Sequence, residues 1–301
     1  MKLPTFLIIG GMKCGSTTLY RDLMTQPGVF FPIDKEPESL CDPDVLTEAG
    51  RERYAAMFEE AEDTDQRGEA STAYTKRPTH EGVAERAREL LGPDLKLIYI
   101  VREPVARVKS HHSHETGLKN WHGSVAESIA KYPEMMNYTR YGMQARPWVE
   151  IFGRESVRIV RMDDYVKNRR DCTDRFARFI GVEPKPELVE TDRVFNKSDG
   201  RPVPTHGWES VLHNPLYKRL VRPLLSTTVR EKIREVILPK AKVTKEPLDE
   251  ATVRRIYDEL AEDHAELAGY MGIDGPVWDV EKAVAKHAAP PAASKADQEP
   301  A

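Results

Sequence analysis

Near the N-terminus, Gly10-Gly11-Met12-Lys13-Cys14-Gly15-Ser16-Thr17-Thr18 combines residues suited to gripping an anion. The segment lies between an apolar run, Phe6-Leu7-Ile8-Ile9, and the start of a helical pattern. The first N–H groups of a helix lack intrahelical partners, and the helix dipole favours negative charge there. Glycines such as Gly15 let backbone amides, that of Cys14 included, approach phosphate oxygens. Lys13 adds a mobile positive charge, and Ser16, Thr17 and Thr18 add hydroxyls. The lysine precedes Gly15 rather than following it, so this is not the Gly-x-x-x-x-Gly-Lys-Ser/Thr loop of nucleotide hydrolases, nor a Gly-x-Gly-x-x-Gly turn. The competing reading is a glycine turn leading into a helix capped by Ser16.

A second anion site is written around Arg102. Leu97-Ile98-Tyr99-Ile100-Val101 runs directly into Arg102-Glu103-Pro104, and Ser110 follows. An arginine at the carboxyl end of a parallel strand faces the crevice where open α/β sheets bind ligands. With a helix starting near Pro104, Ser110 lies about two turns on. The alternative is a surface Arg102 paired with Glu103. Lys35-Glu36 offers a cation beside a carboxylate, suited to charge stabilisation and proton removal, or else a pair of solvated loop charges. His111, His112 and His114 read as histidines on the face of the helix after Pro104. Asp163-Asp164 reads as a helix cap, and Trp121 and Trp148 as packing residues.

The elements that must position these groups alternate. Short apolar strands at Phe6–Ile9, Val29–Phe31, Leu97–Val101 and Val157–Val160 are separated by helical patterns at Ser16–Thr25, Arg51–Ala61, Val83–Leu91 and Cys172–Ile180. Strands with no polar alternation are covered on both faces. The expected fold class is α/β: a P-loop-like three-layer fold with a central, mainly parallel sheet flanked by helices. One domain is expected over 1–282, with a core at 5–204 and a C-terminal helical part at 205–282 that includes a helix over Leu248–Met271. Residues 283–301, rich in Ala and Pro, are expected to be a disordered tail.

With a net charge of −4 over 301 residues and 40% hydrophobic content, the composition is that of an ordinary globular protein. It gives no support for a nucleic-acid or membrane-surface partner. The cysteines Cys14, Cys41 and Cys172 are too scattered for a metal site or a disulfide framework. No apolar stretch has the length of a transmembrane helix, and a cytoplasmic location is expected.

Taken together, the two anion sites resemble the motifs of the PAPS-dependent sulfotransferase family, in its bacterial and Golgi-type branch. In that family the first motif grips the 5′-phosphosulfate of PAPS and the second the 3′-phosphate. Gly10–Thr18 is similar to the first, with Lys13 as its lysine, and Ile100–Ser110 to the second, with Arg102 and Ser110 in the binding positions. Lys35-Glu36-Pro37, Gly68-Glu69-Ala70-Ser71 and Tyr141–Trp148 are similar to further family segments. Asn196–Arg201 resembles in part the late loop over the 3′-phosphate, contributing Gly200 and Arg201. The resemblance implies in-line sulfuryl transfer from PAPS to a hydroxyl, with PAP as product. Lys13 would stabilise the leaving phosphate, Glu36 would act as base, and Lys35 would hold sulfuryl oxygens, with no metal required. The implied acceptor is a small-molecule, glycolipid or natural-product hydroxyl. Ala70, where glycosaminoglycan-type members carry lysine, argues against that acceptor class. A small-molecule kinase with an atypical P-loop and a non-catalytic PAP- or nucleotide-binding module remain as alternatives. Oligomeric state is left open.

Overall fold

Strands β1 (Phe6–Gly10), β2 (Val29–Phe30), β3 (Gln66–Ala70), β4 (Lys96–Val101) and β5 (Val157–Arg161) lie side by side in the order β2-β3-β1-β4-β5. Every neighbouring pair is parallel. These come from a computed structural model, which describes residues 1–33, 35–119, 123–192 and 247–289. Phe6, Leu7, Ile8 and Ile9 are fully buried, as are Leu97 through Val101, because helices cover the sheet on both sides. The expected three-layer α/β architecture with its central parallel sheet is therefore the one observed.

Between the strands run α1 (Ser16–Met24), α2 (Glu48–Ala56), α3 (Val83–Leu91), α4 (Pro104–Lys119), α5 (Val125–Lys131), α6 (Glu134–Asn137) and α7 (Tyr141–Phe152). After β5 come α8 (Met162–Lys167) and α9 (Arg169–Phe179), then α10 (Glu250–Glu259), α11 (Ala261–Met271) and α12 (Val280–His287). Helix α1 packs on α9, whereas α7 packs on α3 and α11. The α1–α9 contact is locked by a buried ion pair. Arg169 donates from Nε and Nη2 to the two oxygens of Asp22 at 2.8 and 2.6 Å, and Tyr165 donates to the same carboxylate.

Strand order determines where a ligand can sit. The chain leaves β1 towards β2 on one side and leaves β4 towards β5 on the other. Between β1 and β4 the connections diverge, the position beyond the strands' carboxyl ends where open α/β sheets bind ligands.

Three expectations need correction. The helix placed over Arg51–Ala61 is Glu48–Ala56, capped by Thr47 Oγ1, which accepts from Gly50 N–H at 3.1 Å. The apolar residues beyond it, Phe58 and Ala61, are buried from turns instead. The single helix over Leu248–Met271 is two, broken at Leu260. The break lets Val253, Ile256 and Leu260 join a small cluster with Val105 and Val108 while Leu267 joins the main core. Finally, the tail does not begin at 283. Asp279 caps α12 by accepting from the N–H groups of Glu281 and Lys282, and Ala283 and His287 are buried. Leu248 N–H donates to His287 O at 3.0 Å, and Ala289 N–H donates to Leu248 O at 2.8 Å. Val280, Val284 and Ala288 pack beside Ala283 against the small cluster, so a short helix of small and medium side chains docks here. Residues 290–301 lie outside the described residues.

Candidate active site

The turn after β1 is built for close backbone approach. Gly10 has φ +137° and Gly15 has φ +92°, a region other residues rarely adopt. A Cβ on Gly10 would collide with Thr75 Oγ1, which donates to Ile9 O at 2.9 Å. Gly15 is the N-cap of α1, and no side chain caps the helix. Ser16 is therefore not the cap that the simpler reading required. No acidic residue occupies the first turn of α1, so its positive dipole end is not neutralised there.

The two predicted anion segments meet. Gly11 N–H donates to Ile100 O at 2.7 Å, fixing the turn to β4. Arg102 Nη1 donates to Lys13 O at 3.0 Å, so the arginine of the second segment braces the lysine of the first. Tyr141, at the start of α7, ties the same junction from below. Its hydroxyl donates to Arg102 O at 2.8 Å, accepts from Arg102 N–H at 3.3 Å, and lies 3.6 Å from Cys14 Sγ. Burial pushes the Tyr141 hydroxyl and the Cys14 thiol up, so both stay protonated. The Cys14 side chain is fully buried and its N–H donates to Gly11 O at 3.1 Å; its part in the turn is to hold the loop's shape.

Glu103 does not pair with Arg102. Its carboxylate accepts from the N–H groups of Val105 and Ala106 at 2.9 and 2.8 Å, capping α4, and from Tyr257 and His287 at 2.9 and 2.8 Å. Burial pushes its pKa up, but the His287 contact and the two amides outweigh that and hold it below the usual carboxylate range. Arg102 instead reaches Lys13 O at the turn. Ser110, two turns along α4, is buried.

Lys35 and Glu36 stand at the carboxyl end of β3, beside β1. Glu36 N–H donates to Ala70 O at 3.0 Å, and Lys35 Nζ contacts Glu36 Oε1. Glu36 and Glu38 have φ +61° and +56°, and Lys13 has φ +65°. Among the described residues these are the non-glycine positions at positive φ, and such strain gathers at functional sites. Beneath them Glu69 is fully buried and accepts from Tyr54, Tyr74 and Ser71. Burial pushes its pKa up against those three hydroxyls.

Two of the helix-face histidines, His111 and His112, are buried and bonded within the fold. His111 Nδ1 accepts from Arg107 Nη2 at 2.9 Å, and His112 Nδ1 lies 2.8 Å from Ser128 Oγ. Trp148 is packed against Tyr74 and Phe152. Gly200, Arg201 and Trp121 lie outside the described residues. Sequence reasoning gave no role to the Tyr141 hydroxyl, whose partners are distant in the chain; its only signal was an aromatic residue at a helix start. Among the described residues, no helix is long and apolar enough to cross a membrane, and no group of three or more His, Cys, Asp or Glu is arranged for a metal.

A family model described as a sulfotransferase domain matches residues 3–214. Carbohydrate sulfotransferase 15 of Rattus norvegicus is 22% identical over 254 residues, covering 62% of this chain and 45% of the rat protein. The Mus musculus protein of the same name matches to the same extent. The chain thus spans about half the length of these curated relatives. A sulfotransferase crystal structure from Alicyclobacillus acidocaldarius superposes with a TM-score of 0.62 at 20% identity, over 91% of this chain and 98% of that one.

Proposed function

Because the chain belongs to the sulfotransferase domain family, we propose that it moves a sulfuryl group from PAPS to a hydroxyl acceptor, with the nucleotide held across the β1–β4 crevice. The observation carrying this is the hydrogen bond from Arg102 to Lys13 O at the point where the connections diverge. It brings the two segments that resemble the family's phosphate motifs to one place, as binding of a doubly phosphorylated nucleotide requires. The 5′-phosphosulfate lies on the turn and the N-terminus of α1, and the 3′-phosphate lies at Arg102 and Ser110. The family resemblance would add Gly200 and Arg201, which lie outside the described residues, to the second grip.

Transfer is an in-line displacement at sulfur, with catalysis by positioning and charge stabilisation as in phosphoryl transfer. The acceptor oxygen forms a bond to sulfur while the bond from sulfur to the 5′-phosphate oxygen breaks. The acceptor's proton passes to the Glu36 carboxylate. The negative charge left on the 5′-phosphate develops next to Lys13, which is where a fixed cation lowers the barrier most. Lys35 holds sulfuryl oxygens. The groups named need no metal.

With Glu36 as base, the acceptor hydroxyl comes in on the β3 side, beside Lys35 and Glu36. Small-molecule, glycolipid and natural-product alcohols are candidates, and the carbohydrate sulfotransferase relatives add sugars. Incubation with labelled PAPS and, separately, labelled ATP over a pool of such acceptors tests the reading. Label transfer from PAPS is expected; transfer from ATP alone would identify a kinase and overturn it.

A further inference from the structure

Among the described residues, Arg107 is one of the largest fully buried side chains, and it forms no ion pair there. Its Nη2 donates to His111 Nδ1 and to Met135 O, both at 2.9 Å; its Nε and Nη1 are buried with no hydrogen-bond partner. The carboxylate of Glu115 is on the far side of His111, whose Nε2 lies 3.6 Å from Glu115 Oε1. Tyr141, Cys14 and Tyr99 also lie close enough to feel the Arg107 charge. Burial keeps the hydroxyls of Tyr141 and Tyr99 and the thiol of Cys14 protonated. Being neutral, they cannot offset the guanidinium. A buried cation with unmet donors is costly, and proteins ordinarily pair or replace it.

Its location suggests what it is for. Arg107 is on α4 between Arg102 and Ser110, three residues before the latter and so on the same helix face. Tyr141 and Cys14, which join the turn to Arg102, lie close enough to Arg107 to feel its charge. A charge there acts through a poorly screening interior on anions bound just above.

We propose that Arg107 is a positioning residue, an unpaired buried cation kept behind the junction of the two phosphate segments, whose charge is offset only when a doubly phosphorylated nucleotide is bound. The inference rests on the PAPS reading of the crevice. It makes PAP binding and folding stability move in opposite directions at this one side chain.

The test compares Arg107→Gln, which keeps a donor and removes the charge, with Arg107→Lys, which keeps the charge and reduces the donors. PAP affinity is measured by calorimetry and ligand-free Tm by thermal melts. The expected result is a loss of about tenfold in PAP affinity for the Gln variant, with an unchanged or higher Tm, and near-normal affinity for the Lys variant. A Gln variant that binds PAP normally overturns the inference. So do two variants that lose affinity in step with a falling Tm, because Arg107 is then a packing residue. If the unmodified protein fails to bind PAP, the reading of the crevice itself falls, and this inference with it.

Discussion

The two sides of the candidate site are constructed differently. On the β1–β4 side, Gly10, Gly11, Lys13, Cys14, Arg102 and Tyr141 are cross-linked by backbone and buried hydroxyl bonds. On the β3 side, Lys35 and Glu36 rest on one backbone hydrogen bond to Ala70 O and on each other, with Glu36 exposed. In the proposed site, the nucleotide grip is part of the core, and the acceptor chemistry sits on a loop. Damage to the first side should therefore couple binding to folding, whereas damage to the second should remove turnover alone.

The sharpest attempt to break this contrast is Glu36→Gln. Loss of a general base lowers turnover by about 10²- to 10⁴-fold. PAP affinity and Tm should be unchanged, as read by PAPS-dependent transfer, calorimetry and melting on the same preparation. A variant that also loses PAP binding would place Glu36 in the braced side.

Acid should strike the braced side. Burial pushes the pKa of His111 and of His264 down from 6.5 to about 4. Between those values the unfolded chain binds protons that the folded protein refuses. Each histidine's contribution is therefore complete above pH 6.5 and is lost as pH falls towards 4, by about 3 kcal/mol apiece. Urea melts across that range should show the decline, and His264→Phe should flatten it.

Arg102→Ala should weaken PAP binding by about 1.5–3 kcal/mol, the worth of a charge-assisted contact. It should also lower Tm modestly through the lost bond to Lys13 O. The smallest expected effect is that of Tyr141→Phe, which strips one hydroxyl from the junction and costs about 1–2 kcal/mol of stability, with a parallel loss of PAP affinity. An unaltered Tm with weakened PAP binding would uncouple folding from grip on this side.

The contrast also explains what the sequence could reveal. Strand β4 and helix α3 are legible because a continuous apolar run and a Gly92 stop are local signals. The turn at Gly10–Thr18 is legible because glycines and a lysine between a strand and a helix have few other uses. The cross-bracing is not legible. Tyr141 meets Cys14 and Arg102 across 127 and 39 residues of chain, and Glu103 meets His287 across 184. Nothing local distinguishes such a tyrosine or glutamate from its exposed counterparts. The same applies to α12, which docks through Ala283 and His287 with only Val280 and Val284 beside them.

The central claim is that the β1–β4 crevice holds two phosphate groups of one nucleotide. Calorimetric titration of the unmodified protein with PAP and with adenosine 5′-monophosphate, which lacks the 3′-phosphate, tests it without any substitution. The account predicts that PAP binds and that the monophosphate binds at least about tenfold more weakly, for want of the charge-assisted contacts at Arg102 and Ser110. Equal affinity for the two nucleotides would contradict it.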